Sequence, residues 1–431
     1  MLMGRAFDNF LGRRDGAAGT DEVAGGRVAG ASERPSSRWP PRLRPTAVIF
    51  RATGNQRGAL LICAFALVAA ACGPEPSPRP TPDDTASAPA GTPPSTTVAP
   101  ADGWTRIELP GVGGVFTDVA TTPAGIVIVG AGGAAAQIPL AWMSVDGISW
   151  DVEQLPGSGF PSDLVPWGGQ LVAYGGGQTN RCAHPDALDS WLRTADGAWH
   201  EAPWDPIFCA GGLAYAAAAA DHIVMAGLGT GDIAYAWTSV DGLRWTDDGF
   251  PRAVGAPRAV GSVLGTDVVM GSSFETGRAW VSRSPDGVHW SAPEPLVVPS
   301  ASEVLGLVTV DGHFLAILRT DDGTFGALRS DDGVTWESAE SVGLDPNLGA
   351  KIEAVEGGLV AISGDDNGPR LWASADGASW RSVVMPSDVG ATGRLTGIAV
   401  SQGKVFLVGQ AATETEAAAA AWVGPAALIA P

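Results

Sequence analysis

A short motif ending in tryptophan recurs along the sequence after residue 100. Its clearest copies follow the pattern Ser-x-Asp-Gly-x-x-Trp, at 144–150, 239–245, 284–290, 330–336 and 374–380. With a shortened copy at 194–199 and a remnant at 102–104, the aspartates recur about 45 residues apart. A period of that length with several short strands per unit is typical of propeller blades. The repeat therefore predicts one large domain of seven blades.

Each repeat unit contains a pattern of four short strands. In the first unit, apolar segments at 115–120 and 125–130 flank a Pro-Ala-Gly turn, and a third segment at 140–145 leads into the motif. The segment at 150–155 follows the motif as the fourth strand. We therefore predict an all-β fold, a seven-bladed β-propeller of four-stranded antiparallel blades.

The motif residues have a structural explanation. Asp and Gly favour tight hairpin turns, because Asp bonds nearby backbone N–H groups and Gly accepts positive φ. A tryptophan at the start of the outer strand fills space between blades. Six more tryptophans lie on predicted third strands, so thirteen of the sixteen follow from architecture and not from a ligand platform. We assign a structural role to Asp146, Asp196, Asp241, Asp286, Asp332, Asp376, Trp150, Trp199, Trp245, Trp290, Trp336 and Trp380.

The two ends of the repeat region complement each other. The last unit, 393–423, supplies three strands and lacks a fourth. The domain begins with 103–109, which has the pattern of a fourth strand without its three partners. We predict that this N-terminal strand completes the last blade and closes the ring, which hides open sheet edges.

The repeat resembles the Asp-box (BNR) repeats of the sialidase-like superfamily, in a variant one residue shorter than Ser-x-Asp-Gly-Gly-x-Thr-Trp. The resemblance covers about 320 residues and implies a fold much more than a function. Sialidases use three arginines, a tyrosine nucleophile with a glutamate partner, and an aspartate. This chain has only Tyr174, Tyr215 and Tyr235, and none has a recognisable glutamate partner. We therefore predict a protein that is not an enzyme.

The function expected is that of a scaffold that binds a protein or glycan partner. A divergent glycan-active hydrolase is the alternative, and a cluster of Arg, Tyr and Glu at the mouth of the central channel would favour it. The histidines and cysteines lack zinc spacing. We therefore predict no metal and no cofactor.

The N-terminal region is predicted to be a targeting segment and not part of the folded domain. Residues 1–50 form either a disordered extension or the product of a start codon placed too far upstream. Residues 51–71 combine a basic flank with a short apolar run, as signal peptides do. The sequence Leu67-Val-Ala-Ala-Ala-Cys72 resembles a bacterial lipobox, which implies lipidation of Cys72. Residues 72–101 form a Pro/Thr/Ser-rich linker, 102–424 the propeller and 425–431 a tail.

Charge limits the choice of partners. The chain has a formal net charge of -20, and its basic residues are concentrated before the predicted lipidation site. An acidic surface repels nucleic-acid phosphates, so we predict no nucleic-acid partner. We expect a monomeric domain that the lipid anchor holds on the outer face of the bacterial cell membrane.

Two cysteines remain in the predicted mature domain. Because export places them in an oxidising compartment, we predict a disulfide between Cys182 and Cys209. Both positions fall in connections on the face opposite the motif turns, in the unit with the longest spacing. The residues predicted for partner binding lie in the same two connections: Arg181, His184, Asp186 and Trp204.

Overall fold

The computed structural model describes residues 102–430. This description has gaps at residues 112–113, 134–137, 177–187, 204, 206, 208, 210–213, 230–232, 248, 252–254, 297–300, 321–323, 341–349, 366–367 and 413–416. Within this part of the chain, no helix is long and apolar enough to cross a lipid bilayer. The described residues form seven antiparallel sheets, which confirm the predicted seven blades.

The strands of the blades follow the chain from the centre of the propeller outward, and we number the blades 1 to 7 in the order of their first strands. The first strands are β2 (Gly114–Thr122), β6 (Phe160–Trp167), β10 (Ala214–Ala218), β13 (Ala256–Val263), β17 (Ala301–Val310), β21 (Ala350–Val355) and β25 (Arg394–Ser401). The second strands are β3 (Gly125–Gly132), β7 (Gln170–Gly176), β11 (Ile223–Leu228), β14 (Thr266–Ser272), β18 (His313–Thr320), β22 (Gly358–Asp365) and β26 (Lys404–Ala412).

The third and outer strands complete the blades. The third strands are β4 (Ile138–Ser144), β8 (Leu188–Arg193), β12 (Ala234–Ser239), β15 (Ala279–Ser284), β19 (Phe325–Ser330), β23 (Gly368–Ser374) and β27 (Ala417–Pro425). The outer strands are β5 (Asp151–Gln154), β9 (Trp199–Glu201), β16 (Glu294–Pro295), β20 (Glu337–Glu340), β24 (Arg381–Ser382) and, for blade 7, β1 (Thr105–Ile107). Blade 3 differs, because among its described residues a single bridge between Thr238 and Thr246 stands where the outer strand would be.

The first strands form a closed ring around the axis. Each of them contacts the first strands of both neighbouring blades, and β2 contacts β25 to complete the circle. The buried apolar side chains form seven clusters, each shared by two neighbouring blades. The core is therefore a series of interfaces between blades, and each blade depends on its neighbours for burial.

The N-terminal strand closes blade 7, as predicted. Strand β1 pairs antiparallel with β27, with Thr105 opposite Val423 and Ile107 opposite Ala421. The indole of Trp104 is buried, and its Nε1 donates to the carbonyl oxygen of Val384 at 2.8 Å. The first described residues of the chain thus supply the outer strand and the motif tryptophan of the last blade.

The motif turns have a shared hydrogen-bond pattern. In the first copy, the Oγ of Ser144 accepts from the N–H of Gly147 at 2.8 Å, and Oδ1 of Asp146 accepts from two backbone N–H groups at 2.8 Å. These backbone bonds lower the pKa of Asp146. Gly147 has φ +71°, and a Cβ there would lie 2.5 Å from the ring of Phe406 in blade 7. Glycine is therefore required both by the backbone and by the contact with the neighbouring blade.

The residues after β27 pack against the propeller. A 3-10 turn spans Ala426–Leu428, and Ile429 is buried in the cluster between blades 6 and 7. The guanidinium of Arg381 donates to the carbonyl oxygens of Leu428 and Ala430. Leu428 lies against Gly103 and Gly424, so these residues of the predicted C-terminal tail pack against blade 7.

Candidate binding site at the channel mouth

The two ends of the propeller are distinguished by the connections that lie there. The motif turns join third to outer strands, and the hairpins between first and second strands lie at the same end, which we call the turn face. The opposite end, where the first strands begin and the second strands end, we call the mouth. The motif aspartates therefore lie on the turn face, away from the mouth.

Register places one residue of each first strand at an equivalent level around the axis. Five of the first strands carry a β-bulge near this level, which turns the following residue toward the channel. The seven equivalent residues, in blade order, are Asp118, Asp163, Tyr215, Ala259, Gly306, Lys351 and Gly397. Three of them carry a carboxyl or amino group, Asp118, Asp163 and Lys351, which is unusual for positions that are largely buried.

Lys351 forms the centre of a charged cluster in the channel. Its Nζ lies 2.6 Å from Oδ1 of Asp118, 2.7 Å from Oδ1 of Asp163 and 3.2 Å from Oε1 of Glu353. The side chain extends from blade 6 past blade 7 to blades 1 and 2. A Cβ at Gly397 in blade 7 would lie 2.6 Å from Oδ1 of Asp118, so the small residue there leaves room for the contact.

Further hydrogen bonds hold the two aspartates. Oδ2 of Asp118 accepts from the backbone N–H of Leu164 at 2.9 Å. The hydroxyl of Tyr174 donates to Oδ2 of Asp163 at 2.9 Å. We refer to Asp118, Asp163, Tyr174, Lys351 and Glu353 as the Lys351 cluster. It links blades 1, 2 and 6 through side chains that are far apart in the sequence.

Burial and charge shift the pKa values of the cluster in different directions. Burial raises the pKa of Asp118 well above its usual range and also raises that of Glu353. Burial acts in the same sense on Asp163, but the charge of Lys351 and the hydrogen bonds to Asp163 outweigh it and lower the pKa of Asp163 to about 2. Burial opposes the charge of Lys351, yet the three carboxylates raise its pKa well above the ordinary value. Asp118 is therefore the carboxyl that holds a proton most readily.

A second charged group lies at the mouth between blades 4 and 5. A guanidinium nitrogen of Arg258 lies 3.8 Å from Oε1 of Glu303, and Arg319 donates to Oε2 of the same carboxylate. About a third of each of these three side chains is exposed. We call Arg258, Glu303 and Arg319 the arginine pair with its glutamate. These planar groups hold one another in place while their outer edges reach solvent.

An exposed aromatic residue lies on the same side of the propeller. Phe274 is 51% exposed in the loop that follows β14. The loop is closed by a hydrogen bond from the N–H of Ser273 to the carbonyl oxygen of Arg278. At its base the Oγ of Ser272 accepts from the N–H of Val304, the residue after Glu303. The loop is thus joined to the strand that carries the glutamate of the arginine pair.

The tyrosines do not form the pair that a sialidase needs. Tyr174 donates to an aspartate, and burial raises its pKa well above the usual value. Burial also raises the pKa of Tyr215, although Arg258 acts in the opposite sense. Tyr235 stacks on Trp237 with ring centroids 6.0 Å apart. Tyr215 nevertheless bonds the side chain of Arg258, which pairs with Glu303. Arg, Tyr and Glu side chains thus meet at the channel, which is the arrangement that the hydrolase alternative requires.

A buried histidine lies near the turn face between blades 3 and 4. Nε2 of His222 lies 2.7 Å from Oδ2 of the buried Asp267, and Nδ1 lies 2.7 Å from Oδ1 of the exposed Asp221. The hydrogen bond to Asp267 outweighs burial and raises the pKa of His222 to about 9. The ring is therefore an imidazolium at neutral pH and bridges two blades. Within the described ranges, no group of His, Cys, Asp and Glu is arranged to hold a metal ion.

Several sequence-predicted site residues cannot be compared with the structure. Cys72, Arg181, Cys182, His184, Asp186 and Trp204 lie outside the described residues. The Cys182–Cys209 disulfide and the partner-binding role of this segment therefore stay predictions. The flanking residues Gly176 and Leu188 are described, and Gly176 pairs with Phe160 at the mouth end of blade 2. The segment between them begins and ends on the same side as the arginine pair.

The channel residues were not predicted from the sequence. Lys351 is one of only two lysines in the chain, which was a signal in itself. Aligning the first strands of the seven units on their hairpins would have placed Asp118, Asp163 and Lys351 at one level. The contact between them could not be read from the repeat, because it depends on how many blades separate their strands.

These features define the chain as a seven-bladed β-propeller with a charged channel and a closing N-terminal strand. Neither a family model nor a curated protein matches the sequence. Among solved structures, the BP39L lectin from Burkholderia pseudomallei is 13% identical, with a TM-score of 0.50, over 72% of this chain and 96% of the lectin. The β-propeller domain of the Trilobed protease from Pyrococcus furiosus is 9% identical, with a TM-score of 0.44, over 72% and 95% of the two chains.

A protein of unknown function from Dyadobacter fermentans is similar to the same extent. It is 15% identical to this chain, with a TM-score of 0.42, over 74% of this chain and 98% of its own. At these identities the similarity concerns the fold alone, because one fold serves many functions.

Proposed function

We propose that this chain is an exported lipoprotein whose propeller binds a protein or glycan partner at the channel mouth without catalysing a reaction. The observation that carries the proposal is the arginine pair with its glutamate, half-buried at the mouth on the same side of the propeller as the exposed Phe274. Planar charged groups that are already ordered bind polar partners at a low entropic cost. An exposed aromatic ring adds a surface on which an apolar face of a partner can pack.

The tyrosines support binding over catalysis. A tyrosine nucleophile must lose its proton, and burial near carboxylates raises the pKa of Tyr174 instead of lowering it. Tyr215 is shifted in the same direction. The motif resemblance to Asp-box proteins adds no catalytic residue, because the motif residues lie on the turn face.

Two observations favour the alternative of a glycan hydrolase: Tyr215 meets Arg258 and Glu303 at the channel, and two aspartates lie close together on Lys351. Asp118 and Asp163 both bond the Nζ of Lys351 and also bond each other, so the channel holds a close pair of carboxyl groups, and glycosidases use carboxyl groups in pairs. The Lys351 amine fills the space between the two carboxyl groups, where a sugar would have to bind. For this reason we favour the binding module.

Binding is tested with the full chain and two sets of variants. We expect the double variant Arg258→Ala/Arg319→Ala to lose at least about tenfold in affinity for glycans on an array or for proteins retained from a membrane extract, because two charge-assisted contacts are removed. Arg244→Ala, which removes an exposed arginine on the turn face, is the matched control. Equal binding by both variants would contradict the proposed mouth site.

Catalysis and localisation are tested separately. Release of chromophore from aryl glycosides by the wild type, and its loss in Asp163→Asn, would establish the hydrolase instead. Cys72→Ala is expected to release the protein into the medium or to leave it unprocessed. Detergent partitioning identical to that of the wild type would refute lipidation at Cys72.

A further inference from the structure

The Lys351 cluster contains the groups needed to form an amide. An amine nucleophile, Nζ of Lys351, lies 2.6 Å from a carboxyl oxygen of Asp118. A second carboxyl group, that of Glu353, lies 3.2 Å from the same amine. A backbone donor, the N–H of Leu164, bonds the other oxygen of Asp118 at 2.9 Å.

We propose that Lys351 and Asp118 condense to an intramolecular amide bond that joins blade 6 to blade 1. The bond would cross blade 7, the blade that is completed by the N-terminal strand. It would therefore close the ring covalently in addition to the pairing of β1 with β27. Lys351 and Asp118 are the reacting residues, and Glu353 is the proposed proton carrier.

The reaction balances without a cofactor. The ammonium of Lys351 gives one proton to Glu353, and the free amine attacks Cγ of Asp118, which is in its protonated form. The C–N bond forms, and the electron pair of the C=O moves to Oδ2, where the N–H of Leu164 holds the oxyanion. A further proton passes from nitrogen through Glu353 to Oδ1, the C–O bond breaks, and one water molecule leaves.

The surroundings of Asp118 favour this direction. Its side chain is 4% exposed, so the carboxyl group itself is shielded from bulk solvent, whereas the side chain of Lys351 is 26% exposed. Burial raises the pKa of Asp118, which supplies the neutral acid that an amine can attack. Two groups that rigid strands hold in hydrogen-bond contact react with effective concentrations of roughly 10⁵ M or more.

Lys351 and Asp163 determine the rate. The carboxylates raise the pKa of Lys351, so only a small fraction of the amine is neutral at any time. Because the condensation happens only once in each molecule, a small neutral fraction of the Lys351 amine is sufficient. Asp163 stays ionised and is held by the hydroxyl of Tyr174, which fixes the direction from which Nζ approaches Asp118.

The sequence makes the test simple, because the chain has only two lysines, Lys351 and Lys404. The full chain is purified, denatured and reduced, and its intact mass is compared with that of Lys351→Arg, which keeps the charge but has no amine. We expect the wild type to be lighter than the mass of its sequence by one water molecule. Lys351→Arg should have the full mass of its own sequence. Under the same conditions an amine-reactive reagent should label Lys404 but not Lys351.

Two further variants identify the partner and the proton carrier. Asp118→Ala should have the mass of an unmodified chain, and Asp118→Asn should lose one ammonia molecule, because an amide carbon can also accept the amine. Glu353→Gln should leave a larger unreacted fraction than Glu356→Gln, which changes an exposed residue in the nearby hairpin. Circular dichroism verifies that each variant is folded.

The proposal is overturned if the wild type has the full mass of its sequence and both lysines react with the reagent. In that case the cluster is an ion-pair network only. A digest in which peptides containing residues 118 and 351 are joined would establish the bond directly. A bond from Lys351 to Asp163 would also refute the assignment of Asp118.

Discussion

The closing strand provides the sharpest test of how the ring is held together. Trp104 precedes β1, is 2% exposed, and packs in the cluster shared by blades 6 and 7. Trp104→Ala removes a fully buried aromatic side chain, which costs about 3 to 5 kcal/mol in a core that cannot collapse. The bond from its Nε1 to Val384 adds about 1 kcal/mol, because the carbonyl oxygen loses its partner. We therefore expect a loss of about 4 to 6 kcal/mol in the free energy of unfolding.

A neighbouring residue is the control. Arg106 lies on β1 and forms an ion pair with Asp388 at 3.1 Å, but both side chains are about 40% exposed. Solvent screening limits such a pair to about 1 kcal/mol or less, so Arg106→Ala should be nearly neutral. The two variants differ in burial while the backbone pairing of the strand stays the same.

Urea unfolding followed by circular dichroism measures both variants. If Trp104→Ala costs less than about 1 kcal/mol, or if Arg106→Ala costs as much as Trp104→Ala, the packing argument is refuted. Deletion of residues 101–110 should be more destabilising than either substitution, because it also exposes the edge of β27. A deletion variant with wild-type stability would show that the ring does not need this strand.

Three further predictions follow from single contacts. The folded-state pKa of His222, about 9, exceeds its unfolded value, so its contribution of about 2 to 3 kcal/mol to the free energy of unfolding is complete below pH 6.5 and is lost as pH rises through 9. Denaturation curves of His222→Gln, measured across this pH range, should lack the alkaline loss. A pH profile identical to that of the wild type would contradict this expectation. Gly397→Ala should cost about 1 to 3 kcal/mol, because its Cβ would lie 2.6 Å from Oδ1 of Asp118; thermal unfolding of this variant beside Gly403→Ala, where the Cβ meets open space at φ +71°, separates the clash from backbone strain. Thiol labelling of the denatured, unreduced mature protein should find neither Cys182 nor Cys209 free, and two reactive thiols would refute the disulfide.

The sequence by itself determined the features that depend on short segments. The turn chemistry of Asp146 and Gly147 is complete within six residues, since Asp146 bonds the backbone immediately after it. The spacing of such turns set the number of blades, and the missing outer strand of the last unit indicated that 103–109 would supply it. These inferences hold because each repeat must bury its faces against its neighbours. The outer strand of blade 3 is a partial exception, because the described part of that segment forms only the bridge from Thr238 to Thr246.

Tertiary structure decided the contents of the channel. Asp118, Asp163 and Lys351 have no common motif, and 233 positions separate the first of them from the last. Their meeting depends on ring closure, which brings blade 6 within reach of blades 1 and 2, and on the absence of a side chain at Gly397. The same contact shifts their pKa values, because burial and neighbouring charge exist only in the folded ring. A repeat pattern reports what each blade shares, whereas the channel chemistry comes from the positions at which the blades differ.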